Sequence, residues 1–393
     1  MSRIPPIPGQ ILTSPEQCHS LKSLVQELCQ TRSKSFPGSQ PVSFGWKSLQ
    51  ALEREDYWVC EKSDGVRCLL LILTNGTTNE QETYFIDRKN VYRRIRGLYF
   101  PNYKDSTLLT PANKTLIDGE LVIDHDKKSG KDKLRYLVFD LLVLETEDIY
   151  NMRLGSRYGR LRSWVVEPFL KSLAKRGNPS QPLEIKLKVM DLAYAIDHVF
   201  KTHIPNLQHG NDGLIFTCVE SGYVFGTDSR IIKWKDPSEN SIDFRISLRF
   251  SASDDNTNTC DFAKKPLCEL QQWEGGKLYN WFDNWDISEE EWQNFLKDGI
   301  DLHNKIAEFS WMKNEENWRF LRFRDDKNDA NHSTVVEKVT ESIEDGVEAH
   351  QLIRKSSRIR SEWKSRAQRR GIGMPVHSKS PPQSTAQPYK LNT

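Results

Sequence analysis

Apolar runs of strand length recur between residues 57 and 235, and nearly every run carries a charged residue within it or at its end. Such runs, bounded by polar clusters, predict strands at 57–60, 68–73, 83–88, 115–123, 134–144, 212–216 and 229–235. A charge that is buried without a partner is costly. A strand end at the surface explains any single case. The whole set instead predicts a polar cleft that the strands share, lined by Lys62, Asp87, Arg88, Glu120, Asp140, Asp212, Lys233 and Lys235.

Length and composition limit the classes of protein to consider. The 393 residues are enough for two or three domains, and the net charge of only +2 means that any nucleic-acid site must be local. Seven scattered cysteines without a C-x-x-C pair indicate neither a disulfide framework nor a zinc site, and they favour a reducing compartment. The sequence shows neither a signal peptide nor an apolar run near the roughly 20 residues of a membrane span. We therefore expect a soluble intracellular protein without a membrane segment.

The order of the predicted elements suggests a division into domains. Strands interleaved with helical spacing predict an α+β domain over residues 1–240, of which 1–35 form an N-terminal extension. Alternation over 242–250 opens a predicted small β-barrel at 241–333, with a loop at 251–260 and a helix at 289–296. A helical segment is expected at 334–365, and a disordered basic and polar tail at 366–393. Its first arginines, Arg366, Arg369 and Arg370, suit a solvated face, a nuclear address or an RNA contact.

Lys62 lies between the first two predicted strands, in the stretch Glu-Lys-Ser-Asp-Gly-Val-Arg at residues 61–67. A lysine amine that surfaces beside an apolar strand is a candidate nucleophile. The alternative for the same stretch is a polar hairpin turn, because Asp-Gly is a common hairpin pair.

Other residues of the predicted cleft suit a phosphorylated ligand. Lys233 and Lys235 lie two apart on one strand, so their ammonium groups share a face and repel each other unless an anion such as phosphate lies between them. Glu120 and Asp212 are candidates to hold a ribose hydroxyl or a divalent metal, since Mg²⁺ takes carboxylate and phosphate oxygens. Phe139 is a candidate to stack on a base, with core packing as its alternative. Neither a P-loop nor a kinase glycine-rich loop is present, so side chains must hold the phosphates. We expect the lysine to attack an α-phosphate and form a lysine–nucleotide adduct.

The ordered motifs resemble those of a known superfamily. Residues 62–67 match the K-x-D-G-x-R signature of the covalent nucleotidyltransferases, which comprise mRNA capping enzymes and ATP-dependent DNA and RNA ligases. The superfamily's other elements follow in its order at 85–88, 118–120, 136–140, 212–216, 232–235 and 318–327. Segments 36–43, 209–213 and 240–244 resemble the fungal type of mRNA guanylyltransferase within it.

The resemblance implies a fold and a reaction. The expected fold is α+β: a nucleotidyltransferase domain of ligase-type, ATP-grasp-like antiparallel sheets with helices, joined by a hinge near residue 240 to an OB-fold β-barrel. The implied reaction transfers GMP from GTP to Lys62 with release of pyrophosphate, and then to the 5′-diphosphate end of nascent mRNA. Mg²⁺ or Mn²⁺ is the implied cofactor, with Glu120 and Asp212 as candidate ligands. Lys233 and Lys235 would contact the α-phosphate, where charge develops in the transition state.

The resemblance also implies roles for the remaining cleft residues. Arg67 and Glu120 would bind the ribose, and Phe139 would stack on guanine. Lys188 would contact the guanine carbonyl, although a solvated strand lysine is the alternative reading of that short match. Arg88 and Asp212 would line the path of the phosphates.

A second group of implied site residues lies in the barrel domain: Arg322, Arg324, Asp325 and Lys327. Cations on a separate domain can orient the β- and γ-phosphates when the cleft closes, and must withdraw before RNA reaches the lysine. The alternative reading of these four residues is an ion-pair network on the surface.

The resemblance finally implies partners and a location. The chain shows no H-C-x-x-x-x-x-R phosphatase loop, so a separate RNA 5′-triphosphatase subunit is expected. The phosphorylated C-terminal tail of RNA polymerase II is an implied partner, and the nucleus is the expected location. Two other functions stay open from the sequence: an ATP-dependent polynucleotide ligase, and a catalytically inactive scaffold that binds the polymerase tail.

Overall fold

The structure is a computed structural model that describes residues 4–251, 264–313 and 315–370. Most of the predicted loop at 251–260, and the predicted tail from residue 371 onward, lie outside the described residues. Within the described residues, no helix has both the length and the apolar composition that crossing a membrane requires.

In chain order, the strands of the described residues are β1 (Gln10–Ile11), β2 (Ser39–Ser43), β3 (Tyr57–Ser63), β4 (Val66–Thr74), β5 (Gln81–Asp87), β6 (Tyr92–Ile95), β7 (Thr115–His125), β8 (Asp132–Leu144), β9 (Glu147–Asp148), β10 (Glu184–Leu187), β11 (Asp191–Leu192), β12 (Asn211–Cys218), β13 (Gly226–Trp234), β14 (Ser241–Arg249), β15 (Leu267–Gly275), β16 (Leu278–Trp285), β17 (Ile306–Met312) and β18 (Asn317–Phe323).

The α-helices connect or cover these strands. They are α1 (Pro15–Leu28), α2 (Trp46–Arg54), α3 (Leu154–Arg160), α4 (Glu167–Lys175), α5 (Ile196–His198), α6 (Glu289–Lys297), α7 (Ser333–Glu344) and α8 (Ala349–Arg369). Short π-helical segments at Leu161–Val166 and Val199–His203 extend α3 and α5.

The first sheet has the strand order β1-β6-β5-β4-β7-β8-β10, with β9 paired to β8. Its neighbours are antiparallel except β8 and β10, which are parallel. Both faces of its centre are covered: Leu70 packs into the core beneath α4, and Leu71 into the core beneath α1. This explains why β4 is an almost continuous apolar run, since a strand buried on both faces has no polar side.

The second sheet has the order β11-β3-β12-β13-β2 and carries Lys62 at the end of β3. The next strand, β4, belongs to the first sheet. The predicted hairpin alternative for residues 61–67 is therefore wrong, because β3 pairs with β11 and β12 while β4 pairs with β5 and β7. Gly65 allows the crossing, since a Cβ atom there would collide with the carbonyl oxygen of Leu121. The motif thus links two sheets and places a cleft between them.

The third sheet is antiparallel, with the order β16-β15-β14-β17-β18, and its end strands β16 and β18 lie against each other. Phe244 and Phe309 lie at the centre of its core, with the predicted helix α6 at one side. This is the predicted OB-fold barrel, and the expected α+β fold with a C-terminal barrel is confirmed.

The end of the described chain differs from its prediction. Helix α8 returns to the second sheet, where Leu352 and Ile359 join its core. The helix continues to Arg369, so the predicted disorder is wrong for residues 366–369. Arg366 explains the extension: its Nε donates to Asp56 at 2.8 Å and its guanidinium also donates to the backbone carbonyls of Glu53 and Glu55.

Candidate active site

A cleft between the first and second sheets collects most of the predicted site residues. Those that line it are Lys62, Arg67, Arg88, Glu120, Phe139 and Lys188. Lys62 comes from the second sheet, while Arg67, Glu120 and Phe139 come from neighbouring strands of the first. Asp212, Lys233 and Lys235 follow at one end, from the hairpin of β12 and β13. The polar cleft predicted from charged strand residues is therefore present and Asp140 lines it, but the prediction is wrong for Asp87, which pairs with Arg93 and is not among the lining residues.

Asp212 holds two of the predicted lysines together. Its Oδ1 lies 2.6 Å from Lys62 Nζ and its Oδ2 lies 2.7 Å from Lys235 Nζ. Burial raises the pKa of Asp212, but hydrogen bonds from Lys235 and Lys62 outweigh burial and leave the pKa below its usual value. The carboxylate therefore stays ionised and fixes the direction of both ammonium groups.

Lys233 adds a third cation beside this pair. It alternates with Trp234, whose indole is buried in the core behind the second sheet. Burial lowers the pKa of Lys233, and the neighbouring Lys235 and Lys62 lower it further. Three lysines around one carboxylate leave an excess of positive charge, which is what a phosphate group requires.

Arg67 is fixed by residues that the sequence reasoning did not single out. Its Nε and NH2 donate to the two oxygens of Asp118 at 3.0 and 2.6 Å, a bidentate arrangement. NH2 also lies 3.1 Å from the Tyr223 hydroxyl. The guanidinium carbon lies 5.6 Å from the centroid of the Phe139 ring. Phe139 therefore lines the cleft. Its alternative interpretation as a core-packing residue is wrong.

A second buried arginine supports the strand that carries Phe139. Arg157 is only 1% exposed, and it donates from Nε and NH2 to the two oxygens of Asp140 at 2.8 and 2.9 Å. NH1 donates to the backbone carbonyl of Ser221 at 2.8 Å. Removing one partner of such a pair leaves a buried charge uncompensated. The pair therefore anchors β8, next to Phe139, to α3.

Lys188 is buried at the inner end of the cleft and is not the solvated strand lysine of the alternative interpretation. Its side chain is 4% exposed, and Nζ donates to Ser63 Oγ at 2.7 Å and lies 3.3 Å from Glu61 Oε1. Burial alone would lower the pKa of Lys188, but Glu61 and other negative groups outweigh it and raise the pKa. For Glu61 the directions are reversed. Burial alone would raise its pKa, but the charges of Lys188 and His209 outweigh burial and bring the pKa to about 2. The pair places one fixed cation at the inner end of the cleft.

The acidic residues of the cleft bear on the predicted metal. Burial raises the pKa of Glu120, which lies opposite Arg67 across β7 and β4. Both oxygens of Asp212 hold lysines. No group of three or more His, Cys, Asp or Glu side chains in the described residues is arranged to hold a metal ion. The donors fit Mg²⁺ only as an ion that also takes substrate phosphate oxygens, as Mg²⁺ commonly does.

The predicted residues of the barrel domain lie elsewhere. The described residues that line the cleft all belong to the first two sheets and their connections. Arg322 Nε donates to Glu308 at 2.7 Å, and Arg324 NH1 donates to Asp243 at 2.9 Å. Lys327 also pairs with Asp243, and Asp325 is exposed. In this conformation the three cations of the group thus belong to an ion-pair network within the barrel domain.

Comparison with known protein families identifies the family of this chain. Residues 6–237 match the model of the mRNA capping enzyme catalytic domain, and residues 239–353 match that of the mRNA capping enzyme C-terminal domain. The chain belongs to the mRNA capping enzyme family. The expectation of a capping guanylyltransferase is confirmed, and the ligase and scaffold alternatives are not favoured.

Curated relatives of this capping enzyme agree. The mRNA-capping enzyme subunit alpha of Schizosaccharomyces pombe is 39% identical over 364 residues, which cover 92% of this chain and 89% of the relative. The protein of the same name from Neurospora crassa is 39% identical over 372 residues, covering 89% and 92%. That from Saccharomyces cerevisiae is 35% identical over 425 residues, covering 96% and 92%. Each of these relatives is named as the alpha subunit of an mRNA-capping enzyme.

Solved structures similar to the capping enzyme include DNA ligases. The Chlorella virus DNA ligase-adenylate aligns at 12% identity and a TM-score of 0.31, covering 74% of this chain and all of the ligase. The ATP-dependent DNA ligase of bacteriophage T7 in complex with ATP aligns at 15% identity and a TM-score of 0.35, covering 73% and 98%. Similarity at this level carries no argument about function.

Three residues of this capping enzyme that the sequence did not point to hold cleft residues in place: Asp118, Tyr223 and Arg157. Asp118 stood inside the motif at 118–120, and its position in an apolar strand was a usable signal. Tyr223 and Arg157 gave none, because their partners are distant in sequence and a single tyrosine or helical arginine is common.

Proposed function

We propose that this capping enzyme transfers GMP from GTP to RNA through a covalent lysine–GMP intermediate on Lys62. The observation that carries the proposal is the ion pair of Lys62 Nζ with Asp212 at 2.6 Å, beside Lys235 and Lys233 at the end of the cleft. This arrangement aims one amine at a place where two further cations can hold an α-phosphate. A nucleophile that is held in one direction gains from orientation, and the cations stabilise the charge that develops on phosphate.

The first half of the reaction forms the intermediate. Lys62 Nζ gives up a proton, for which Asp212 Oδ1 is a placed acceptor, and attacks the α-phosphorus of GTP. The N–P bond forms as the bond between the α-phosphorus and the bridging oxygen breaks, so pyrophosphate leaves. A bound Mg²⁺ or Mn²⁺, held by Glu120 and Asp212 with the phosphates, would neutralise charge on the leaving group.

The second half of the reaction consumes the intermediate. An oxygen of the RNA 5′-diphosphate attacks the same phosphorus, the N–P bond breaks, and Lys62 recovers its amine. The product is the GpppN cap. Both halves use the lysine cations as the fixed site for the transferred phosphoryl group.

Recognition of the nucleoside follows from the other walls of the cleft. Phe139 is proposed to stack on guanine, with Arg67 and Glu120 on the ribose. Lys188 is proposed to donate to the guanine carbonyl from its fixed position beside Ser63 and Glu61. Arg88 is exposed at the cleft and is proposed to meet the phosphates.

The barrel domain is proposed to complete the site only when the cleft closes. Arg322, Arg324, Asp325 and Lys327 would then meet the β- and γ-phosphates. Closure would exchange the present carboxylate partners of the three cations, Asp243 and Glu308, for phosphate oxygens. Reopening would admit RNA.

Finer statements about partners and location are also proposals. The partner subunit is proposed to be an RNA 5′-triphosphatase, which would supply the diphosphate end that the second half of the reaction needs. A phosphorylated RNA polymerase II tail is proposed as a further partner, and the nucleus as the location.

The experiment labels the protein directly. Purified chain is incubated with Mg²⁺ and GTP labelled at the α-phosphate, in parallel with labelled ATP, and then denatured. Label from GTP alone is expected on the wild type and on Lys186→Ala, an exposed lysine of β10, and is expected to be absent from Lys62→Ala. Label from ATP instead would indicate a ligase, and no label from either nucleotide would contradict the proposed intermediate.

A further inference from the structure

Outside the cleft, a groove with excess positive charge runs between α2 and α8 on the outer side of the second sheet. The cations that line this α2–α8 groove are Arg54, Lys355, Arg358, Arg366 and Arg369, and Trp46 lines it as well. Residues 349–370 contain eight lysines or arginines and a single glutamate, although the whole chain has a net charge of only +2. The cations are therefore concentrated on one helix and do not follow from the overall composition.

The two acids of the groove, Glu53 and Glu362, neutralise its five cations only in part. Lys355 and Arg358 share the carboxylate of Glu53, at 3.3 and 3.1 Å. Arg54 and Arg369 line the groove, are exposed, and form no ion pair with any of the described residues. Arg366 pairs with Asp56, so the net positive charge of the groove comes mainly from Arg54 and Arg369, and a groove with net positive charge attracts polyanions.

The groove also offers an aromatic surface. The Trp46 side chain is 49% exposed at the start of α2, on the groove side of the helix. A single exposed ring is common on a protein surface, so Trp46 is informative only because cations line the same groove. Basic grooves with exposed aromatic rings are the usual arrangement for single-stranded nucleic acid, in which bases stack on the rings and cations follow the backbone.

The groove starts beside the catalytic cations. The Phe44 backbone N–H, two residues before α2, donates to the Lys233 carbonyl at 2.9 Å. The Trp234 Nε1 donates to the Val347 carbonyl at 2.7 Å, two residues before α8. Both helices therefore begin where the strand of Lys233 ends, and α8 runs away from that point for about 30 Å.

We propose that the α2–α8 groove binds the single-stranded RNA that follows the 5′-diphosphate end, with Trp46 as the stacking surface nearest the cleft. The inference rests on the proposed function, because it takes RNA to be the acceptor of GMP. The groove holds the backbone of the transcript, while the cleft holds its first nucleotide. It contributes affinity for longer RNA and takes no part in formation of the lysine–GMP intermediate.

The test compares long and short acceptors on the full chain. The variant is Arg54→Glu/Arg369→Glu, and the matched control is Lys171→Glu/Lys175→Glu, the same charge change on exposed residues of α4 over the first sheet. Acceptors are a diphosphate-ended RNA of about 15 nucleotides, within the range that single-strand grooves cover, and a diphosphate-ended dinucleotide. Lysine–GMP labelling is measured first, so a failure of the proposed function would be seen before any RNA is added.

The expected result is selective. The groove variant should label normally with GTP, and its KM for the long RNA should rise about tenfold at low salt, with a salt dependence that falls by about 0.7 in log–log slope per lost phosphate contact. Its KM for the dinucleotide, and both KM values of the control, should stay unchanged. An unchanged KM for the long RNA would overturn the proposal. So would an equal rise for both acceptors, or a variant that keeps RNA affinity but loses binding to a phosphorylated peptide.

Discussion

The Tyr223 hydroxyl lies 2.5 Å from Asp118 Oδ2, to which it donates, and the same carboxylate takes two hydrogen bonds from Arg67. Tyr223 follows β12, in a different part of the chain from both partners, and its hydroxyl also accepts from the backbone N–H of Ser39. One phenol thereby joins the strand of Asp118 to β2, across the inner wall of the cleft.

Removing that hydroxyl tests its role in holding Arg67. Tyr223→Phe leaves a buried carboxylate short of a donor, so we expect a loss of about 1–3 kcal/mol in the free energy of unfolding. We also expect a raised KM for GTP in the labelling assay, because Arg67 lies at the proposed ribose site. Tyr84→Phe is the control, since among the described residues its hydroxyl donates only to Glu82 near the surface. Equal effects of the two changes would count against a positioning role.

The Asp212 carboxylate, which lies between Lys62 and Lys235, should affect mainly the rate of lysine–GMP formation. Asp212→Asn removes the charge that directs Lys62 and Lys235, so lysine–GMP formation should slow by about 10²-fold or more. Asp197→Asn, which breaks an exposed pair with Lys201, is the control. Single-turnover labelling gives the rate, and a normal rate in Asp212→Asn would refute the assigned role.

Variants of the buried pair of Lys188 and Glu61 can distinguish its effect on stability from its effect on the preference for GTP over ATP. Lys188→Met alone removes the cation that pairs with the buried Glu61 carboxylate. It should lower the free energy of unfolding by about 3–5 kcal/mol. The double variant Glu61→Gln/Lys188→Met should recover much of that loss, yet it should not recover preference for GTP over ATP. Denaturant unfolding and paired labelling measure both properties. Full recovery of the preference would show that Lys188 does not read guanine.

Acid should weaken the fold through Glu61. Its pKa is lowered from 4.5 to about 2 in the folded protein, so its stabilising effect is present above pH 4.5 and is lost as the pH falls through about 2. The full effect is on the order of 3 kcal/mol. Glu61→Gln should be less stable than wild type at pH 6, with a difference that narrows between pH 5 and 2. Parallel curves over that range would contradict this linkage.

Closure of the barrel domain should be needed for only one half of the reaction. Lys327→Ala should slow lysine–GMP formation by about tenfold or more, because it removes a proposed contact to the leaving pyrophosphate. Transfer of GMP from already labelled protein to RNA should proceed normally. Arg319→Ala, on the exposed face of β18, should affect neither step. Quench-flow measurements of the two steps distinguish these outcomes.

The sequence predicted which residues meet in the cleft better than it predicted how they are held. Lys62, Glu120 and Phe139 stand in ordered motifs, and a charge or a ring inside an apolar strand is visible without a structure. Lys188 was correctly placed in the cleft, but its burial could not be foreseen, because Glu61 and Ser63 lie more than a hundred residues before it. The same distance hid Tyr223 from Asp118.

The fold showed a similar division. Periodicity predicted the strands and the C-terminal barrel, since alternation reports which faces are buried. It could not assign β3 and β4 to different sheets, because an Asp-Gly pair between two strands is also the pattern of a hairpin. The end of α8 was missed because a basic, polar composition concealed the anchoring of Arg366 to Asp56.

The two-residue connection at Asp64 and Gly65 has a mechanical consequence. β3 ends at Ser63 in one sheet and β4 begins at Val66 in the other, so the two walls of the cleft are joined within a few ångströms of the nucleophile. The walls cannot separate at that point, and any widening is a rotation about it that grows with distance. Small movements that admit a bulky acceptor at the rim would therefore leave the spacing between the attacking amine and the ribose site almost constant.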